Sequence, residues 1–334
     1  VPWNFPLVLL ARKLAPALAM GNSVVIKPAS YTPLTALLLA DLLSDAGVPD
    51  GTVSVVPGPG ALVGDALVAD PRVAKISFTG EPATGARVLQ MSSPNIARVS
   101  LELGGKSASI VFADADLDLA IANLPGGVFD NSGQDCCARS RILVERSVYD
   151  RVVAGFAEAT RAVRVGLPSD PATEMGPLIS ARQRQTTLDY LGYGTEAGAE
   201  VVCGGEVPSD PALAGGFFIT PAVVAAVDNQ MRIAREEIFG PVAAVIPFDD
   251  EADAIAIAND SPFGLSGSLW TRDLGRAIRV SGALRTGILS VNSNSSAHTQ
   301  STFGGFKQSG LGRELGMGAL EHYSETRSVH FGVS

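Results

Sequence analysis

"VAKISFTGEPATGARVLQMSSPNIARVSLEL", residues 73–103, is the stretch that decides the fold class. Its first part, "VAKISFTG" (73–80), reads as a strand: apolar and β-branched residues closed by a glycine. "ATGARVLQMSS" (83–93) sets apolar residues at helical spacing, and "ARVSLEL" (97–103) is a second strand. Strand, helix and strand in one short run imply a crossover unit, which joins parallel strands.

The same rhythm runs upstream. "LVLLARKLAPALAM" (7–20) and "PLTALLLADLLSDAG" (33–47) have helical spacing, the second closed by Gly47 with Pro49 beyond. "SVVIKP" (23–28) and "GTVSVVPG" (51–58) read as strands, and "ALVGDALVAD" (61–70) as a helix. The fold class is therefore α/β, with a buried parallel sheet. Further along, helices are expected around 147–164, 180–198 and 250–259, and strands near 199–203, 217–227 and 242–248. The Gly-rich "STFGGFKQSGLGRELG" (301–316) is expected as a loop of defined shape, and "HYSETRSVHFGVS" (322–334) alternates like a terminal strand. "DADLDLAIAN" (114–123) lacks the Gly and Glu of a calcium loop, so its acids are read as a helix opening.

Composition narrows the function classes. The 334 residues suggest about two domains. Hydrophobic residues make up 46% and charged residues 18%, the profile of a packed globular protein. A net charge of −9 argues against nucleic acid as a partner, since no basic face can dominate. No membrane span is expected, because the most apolar run, "FPLVLLARKLAPALAMG" (5–21), is interrupted by Arg12 and Lys13. Three cysteines, with no CxxC pair, suit a reducing cytosol, so the expected location is cytoplasmic. Three late histidines complete no zinc pattern, so no metal site is expected.

Ligands of parallel sheets bind at the carboxyl ends of strands, where Lys27, Gly80 and Glu102 fall. In "FDNSGQDCCARSR" (129–141), Cys136 and Cys137 are adjacent and follow Asp135. A structural pair, a metal site, a disulfide and a nucleophile are all open for them. "LELGGKSA" (101–108) puts Glu102 before two glycines, as a surface carboxylate or as a general base. "PWNFPL" (2–7) holds Asn4 in a turn, as a turn residue or as a donor to an oxyanion. A thiol, a carboxylate and an amide donor behind a nucleotide-type fold suggest aldehyde oxidation through a thioester.

"PWNFPL", "KPASYTP", "FTGEPATG", "LELGGKSA", "FDNSGQDCCARSR", "EEIFGPV", "PFGLSGSLWT" and "FGGFKQSGLGRELG" resemble motifs of the aldehyde dehydrogenase superfamily, in family order. The resemblance implies a Rossmann-like parallel-sheet cofactor domain, incomplete here, an α/β catalytic domain and a C-terminal oligomerisation strand. The implied boundaries are 1–104, 105–308 and 309–334. It implies Cys136 as nucleophile, Glu102 as the base that activates water, Asn4 as oxyanion donor and Lys13 in proton transfer. The cofactor, NAD or NADP, is implied to lie on Lys27, Ser30, Gly80, Gly85, Leu103, Glu237 and Phe239. Asp135, Cys137 and Phe303 are implied to face a small aldehyde. The full-length protein is expected to be a homodimer or homotetramer.

Three departures sharpen these expectations. Ser30 stands where many NAD-preferring members carry a glutamate, so NADP is expected to be tolerated. Glu81 stands where the family has a small polar residue, and a carboxylate there repels a pyrophosphate unless it turns outward. Asp135 makes "GQDC" resemble some aminoaldehyde-oxidising members. The chain opens "VPWNFP", where the resemblance implies preceding sequence, so it is expected to be a piece of a longer protein or a shortened member. An inactive homologue with a structural or binding role is the alternative, and a thiol hydrolase a distant third.

Overall fold

The computed structural model describes residues 1–332. Val333 and Ser334, the last two residues of the expected terminal strand, lie outside the described residues. The chain divides into two compact units. One comprises Val1–Leu103, Ala297–Gly304 and Gly310–Ser334; the other comprises Gly104–Ser296 and Gly305–Ser309.

The second unit is built on a seven-stranded sheet. From one edge its order is Ser290–Val291, Gly267–Trp270, Ala108–Val111, Arg141–Glu145, Val242–Phe248, Ala222–Ala225 and Glu200–Cys203. Every neighbouring pair is parallel except the last. The central strands are largely apolar because both faces are covered, and the polar Ser109, Arg141 and Ser268 within them are buried. Ile110, Leu143, Val224, Ala244 and Ile246 pack on one face with Leu191, Ala254 and Val280 from three helices. Val111, Ile142, Val144, Val223 and Val245 pack on the other with Leu124, Val128, Val152 and Phe156. The latter come from the helices Leu117–Phe129 and Tyr149–Arg161. Asp116 caps the first of these by accepting the Leu119 N–H at 3.2 Å, so the acids do open a helix.

In the first unit the expected strands form, but not as one sheet. Val24–Ile26 and Val53–Val55 make a two-stranded parallel sheet. Lys75–Thr79 and Arg98–Glu102 pair in parallel, with Gly310–Leu311 added antiparallel. The single sheet expected over residues 23–103 is thus corrected to two: strands of three residues pair with each other, and among the described residues none bridges the two sets. Each set has its own small core, Leu10, Leu14, Ile26 and Ala36 for one, Ile76, Val88, Leu101 and Leu103 for the other. The helix Leu34–Asp45 leaves Leu34, Leu38 and Leu42 exposed.

The expected helix 61–70 begins as a π-turn, Gly60–Gly64, and becomes α-helical only at Asp65–Ala69. The strand expected over 217–227 is confined to Ala222–Ala225. The terminal strand is also corrected. Residues 317–323 form a 3₁₀ turn and 324–332 no regular element. Alternation alone does not make a strand; its backbone needs an edge to pair with, and among the described residues none pairs there.

Candidate active site

The cysteine loop begins where the helix Leu117–Phe129 ends. Asn131, Ser132 and Gly133 are all left-handed, at φ of 51°, 60° and 70°. Two of them are not glycine, a cost that persists only where surroundings enforce it. Here Ser132 Oγ donates to the Gly176 carbonyl at 2.8 Å. Gln134, buried, donates through Nε2 to the Asn131 carbonyl at 3.1 Å and accepts the Ile179 N–H at 2.9 Å. Gly133 cannot be replaced freely, because a Cβ would overlap the backbone of Gly240 and lie 2.7 Å from the Pro241 nitrogen. The "GQDC" and "EEIFGPV" motifs therefore touch through their glycines.

Asp135 Oδ1 accepts the Cys137 N–H at 2.9 Å. Cys136 is half-buried and Cys137 buried, and both are free thiols. The Cys136 thiol is pushed well above its ordinary value by a hydrogen bond with the Cys137 thiol, by burial, and by the negative charges of Cys137, Asp135 and Glu237. The countercharge is Arg139. Its guanidinium is buried, donates to the Cys137 carbonyl at 2.7 Å, and bears on Cys137, Asp135 and Cys136.

The two glycines of "LELGGK" have separate causes. A Cβ on Gly105 would lie 2.5 Å from the Cys136 carbonyl oxygen. One on Gly104 would fall inside the Glu237 carboxylate, whose Oε1 accepts the Gly105 N–H at 2.9 Å. Phe239 is left-handed at φ 57°, and Gln183 Nε2 donates to the carbonyls of Ile238 and Phe239 at 2.8 and 2.9 Å.

The candidate carboxylate lies in the first unit. Glu102 ends the strand Arg98–Glu102 and is 4% exposed, and its Oε2 is buried without a hydrogen-bond partner. Its pKa is raised to about 9, first by burial and then by Glu314, against the opposing charges of Lys13, Arg313 and Arg12. Glu314 and Lys13 form a buried ion pair. Glu314 escaped the sequence reading, although it lies in the quoted "GLGRELG"; glutamate in a Gly-rich loop carries no local signal of burial. Phe303 pairs with Glu314 by two backbone hydrogen bonds of 2.6 and 2.7 Å, and its ring lies 4.5 Å from the Arg12 guanidinium. Asn4 is half-buried in the bend before the helix Pro6–Ala19. Lys13, Glu102 and Phe303 are thus brought together around a residue the sequence reading passed over.

Cofactor candidates cluster by strand end. Lys27 follows Val24–Ile26 and donates to the Pro28 carbonyl at 2.9 Å; burial lowers its pKa. Its side chain runs along Gly64, where a Cβ would meet it at 3.5 Å. Ser30 is exposed, with Oγ 3.5 Å from the Gly58 carbonyl. Gly80 follows Lys75–Thr79, and Gly85 packs so closely on Leu103 that a Cβ would lie 2.7 Å from its side chain. The helix Pro82–Ser92 has no acid in its first turn and no side-chain cap, which leaves N–H donors for an anion. Glu81 is exposed and accepts from Thr84 Oγ1 at 3.0 Å, so its carboxylate is engaged there. These residues fit a dinucleotide.

One unit thus carries a thiol on an enforced loop and the other a buried carboxylate at a strand end, both in an α/β setting. The model of the aldehyde dehydrogenase family matches residues 1–329, and the chain belongs to that family. It is 46% identical to the betaine aldehyde dehydrogenase of Mesorhizobium japonicum, over 98% of this chain and 67% of that protein. Among solved structures, betaine aldehyde dehydrogenase from Staphylococcus aureus in complex with NAD+ aligns with a TM-score of 0.95 at 40% identity, covering 96% of this chain and 64% of that one. Mycobacterium tuberculosis aldehyde dehydrogenase complexed with NAD+ aligns at 0.94 and 48% identity, over 97% and 66%. The chain therefore spans about two thirds of the length of these relatives. No described helix is long and apolar enough to cross a membrane.

Proposed function

We propose that the protein oxidises a small aldehyde to its carboxylic acid with NAD or NADP, through a thioester on Cys136. The observation that carries this is the cysteine loop: three left-handed residues, enforced from two sides, fix the backbone before Cys136, and a buried guanidinium donates to the carbonyl of the residue after it. The Cys136 sulfur attacks the aldehyde carbon to give a thiohemiacetal. The Asn4 amide and the Cys136 N–H donate to its oxyanion, a contribution of roughly 10²–10³ in rate for one such donor. A bound nicotinamide would accept the hydride that leaves this carbon. Glu102 then takes a proton from water, which attacks the thioester and frees the acid and Cys136. With a pKa of about 9, Glu102 must first lose its own proton, and Lys13, whose charge favours that loss, would take part in the transfer.

Lys27 and Ser30 would hold the adenine ribose, Gly80 and Gly85 give the pyrophosphate room, and Glu237 and Phe239, with Leu103, would position the nicotinamide ribose and ring. Residues 1–104 would form the cofactor domain, 105–308 the catalytic domain, and 309–334 the returning and oligomerisation segment. The full-length protein is proposed to be a cytoplasmic homodimer or homotetramer.

The substrate reading is a cationic aldehyde. Asp135 and Asp130 line one polar pocket of the second unit, and the M. japonicum relative is named for betaine aldehyde, which carries a positive charge. Cys137 and Phe303 are proposed as further substrate-facing residues. The inactive-homologue alternative finds no support, since Cys136, Glu102 and Asn4 are all present.

The test is NAD(P)H production by the full-length protein over an aldehyde panel, repeated with Cys136→Ala. Turnover that depends on Cys136 supports the reading; no Cys136-dependent NAD(P)H overturns it. Within the panel, 4-aminobutanal should outrun an uncharged aldehyde of equal length, and Asp135→Asn should erase the difference.

A further inference from the structure

Asp135, Cys136 and Cys137 form a cluster that the proposed oxidation does not use as a unit. One oxygen and two sulfurs, one from each residue, all lie within 4.8 Å of one another. The residues are consecutive, so the cluster is a property of one loop. No metal site is expected from the cysteine spacing, but two thiols and a carboxylate this close are donors that suit a soft or borderline divalent ion.

We propose that Asp135, Cys136 and Cys137 bind a single thiophilic divalent cation, of the zinc and cadmium type, which shuts off the nucleophile. Reach permits it. Thiolates lie about 2.3 Å from zinc, so two on one tetrahedral ion are about 3.8 Å apart, and shifts of roughly 1 Å close the set. Metal ligation takes the thiols as thiolates, whose two charges a divalent cation offsets, and Arg139 is the buried cation of the same loop, donating to the Cys137 carbonyl at 2.7 Å.

The carboxylate ligand is reachable: Asp135 lines a polar pocket of about 410 Å³ with Asp130, Arg139 and Asn294. A direct bond between the sulfurs is the poorer outcome. Consecutive Cα atoms are about 3.8 Å apart, below the usual disulfide range. Binding forms two sulfur–metal bonds and one oxygen–metal bond and releases two thiol protons to solvent. Loss of aldehyde attack then follows from the proposed role of Cys136.

The test titrates the reduced protein, freed of thiols and chelator, with Cd²⁺ alone and follows the sulfur-to-cadmium charge-transfer band in the ultraviolet. One cadmium per chain is expected, with two thiols lost to a thiol reagent and displacement by Zn²⁺. Cys137→Ser should weaken binding by about tenfold or more, Asp135→Asn by less, and Cys203→Ser should change nothing. Absence of the band in the wild-type protein overturns the proposal, as does a band unchanged by Cys137→Ser or abolished by Cys203→Ser. Binding is read without turnover, so the result stands whether or not the protein oxidises aldehydes.

Discussion

Gly104 lies against the Glu237 carboxylate so closely that no Cβ fits between them, while Gly105 donates its N–H to the same group at 2.9 Å. The double glycine thus fixes a carboxylate more than 130 residues away in sequence. Gly104→Ala should push the end of the flexible Glu237 side chain aside at little cost in stability, and raise the KM for the dinucleotide more than it lowers kcat. Thermal unfolding and cofactor-saturation kinetics check both parts.

Glu102 gives a pH signature. Folded, it holds its proton to about 9, against an ordinary value of 4.5. The folded state binds the extra proton between those values, so this group's stabilising contribution is complete below 4.5 and is lost as pH rises through about 9. Glu102→Gln should flatten that part of the stability profile and stall deacylation. Glu314→Gln removes the adjacent negative charge and leaves Lys13 to face Glu102. The rising limb of the deacylation rate should then move to lower pH, measured by single-turnover kinetics.

Lys106 works in the opposite sense. It is 2% exposed, its Nζ has no hydrogen-bond partner, and burial, then the Arg141 charge, lowers its pKa to about 7. Between about 7 and its ordinary 10.5 the unfolded chain binds the extra proton, so stability gains as pH rises through that window. Lys106→Met should be most stabilising below pH 7 and lose its advantage above 10, as followed by denaturant midpoints at several pH values.

Ser30 offers no carboxylate to repel a 2′-phosphate. NADP should therefore support turnover within about tenfold of NAD, and Ser30→Glu should widen the gap by a further tenfold or more by placing like charges together. The ratio of kcat/KM values decides it.

The alternation of strand and helix was legible where a buried parallel strand is apolar at every position, as in "VAAVIPF" (242–248); the strand Ala108–Val111, broken by Ser109, was not foreseen. Cys136 and Glu102 stood out because each sits among glycines that a packing role alone does not explain. Glu314 did not, since its meaning comes from Lys13, 301 residues away. The terminal alternation over 322–332 misled because strand formation depends on a partner edge that local sequence does not contain. The split of the first sheet was invisible for a related reason: pairing is decided by neighbours in space.

The left-handed run Asn131–Gly133 separates the placement of the nucleophile from the identity of its neighbours. Gln134, Ser132 and the Gly240 contact hold the loop from outside, and Asp135 holds it from within by accepting the Cys137 N–H. On the proposed reading, exchange of Cys137 retunes the site without moving the Cys136 backbone, whereas exchange of Asp135 also loosens the turn. Diversity at position 137 is then cheap, and diversity at positions 131–135 is not.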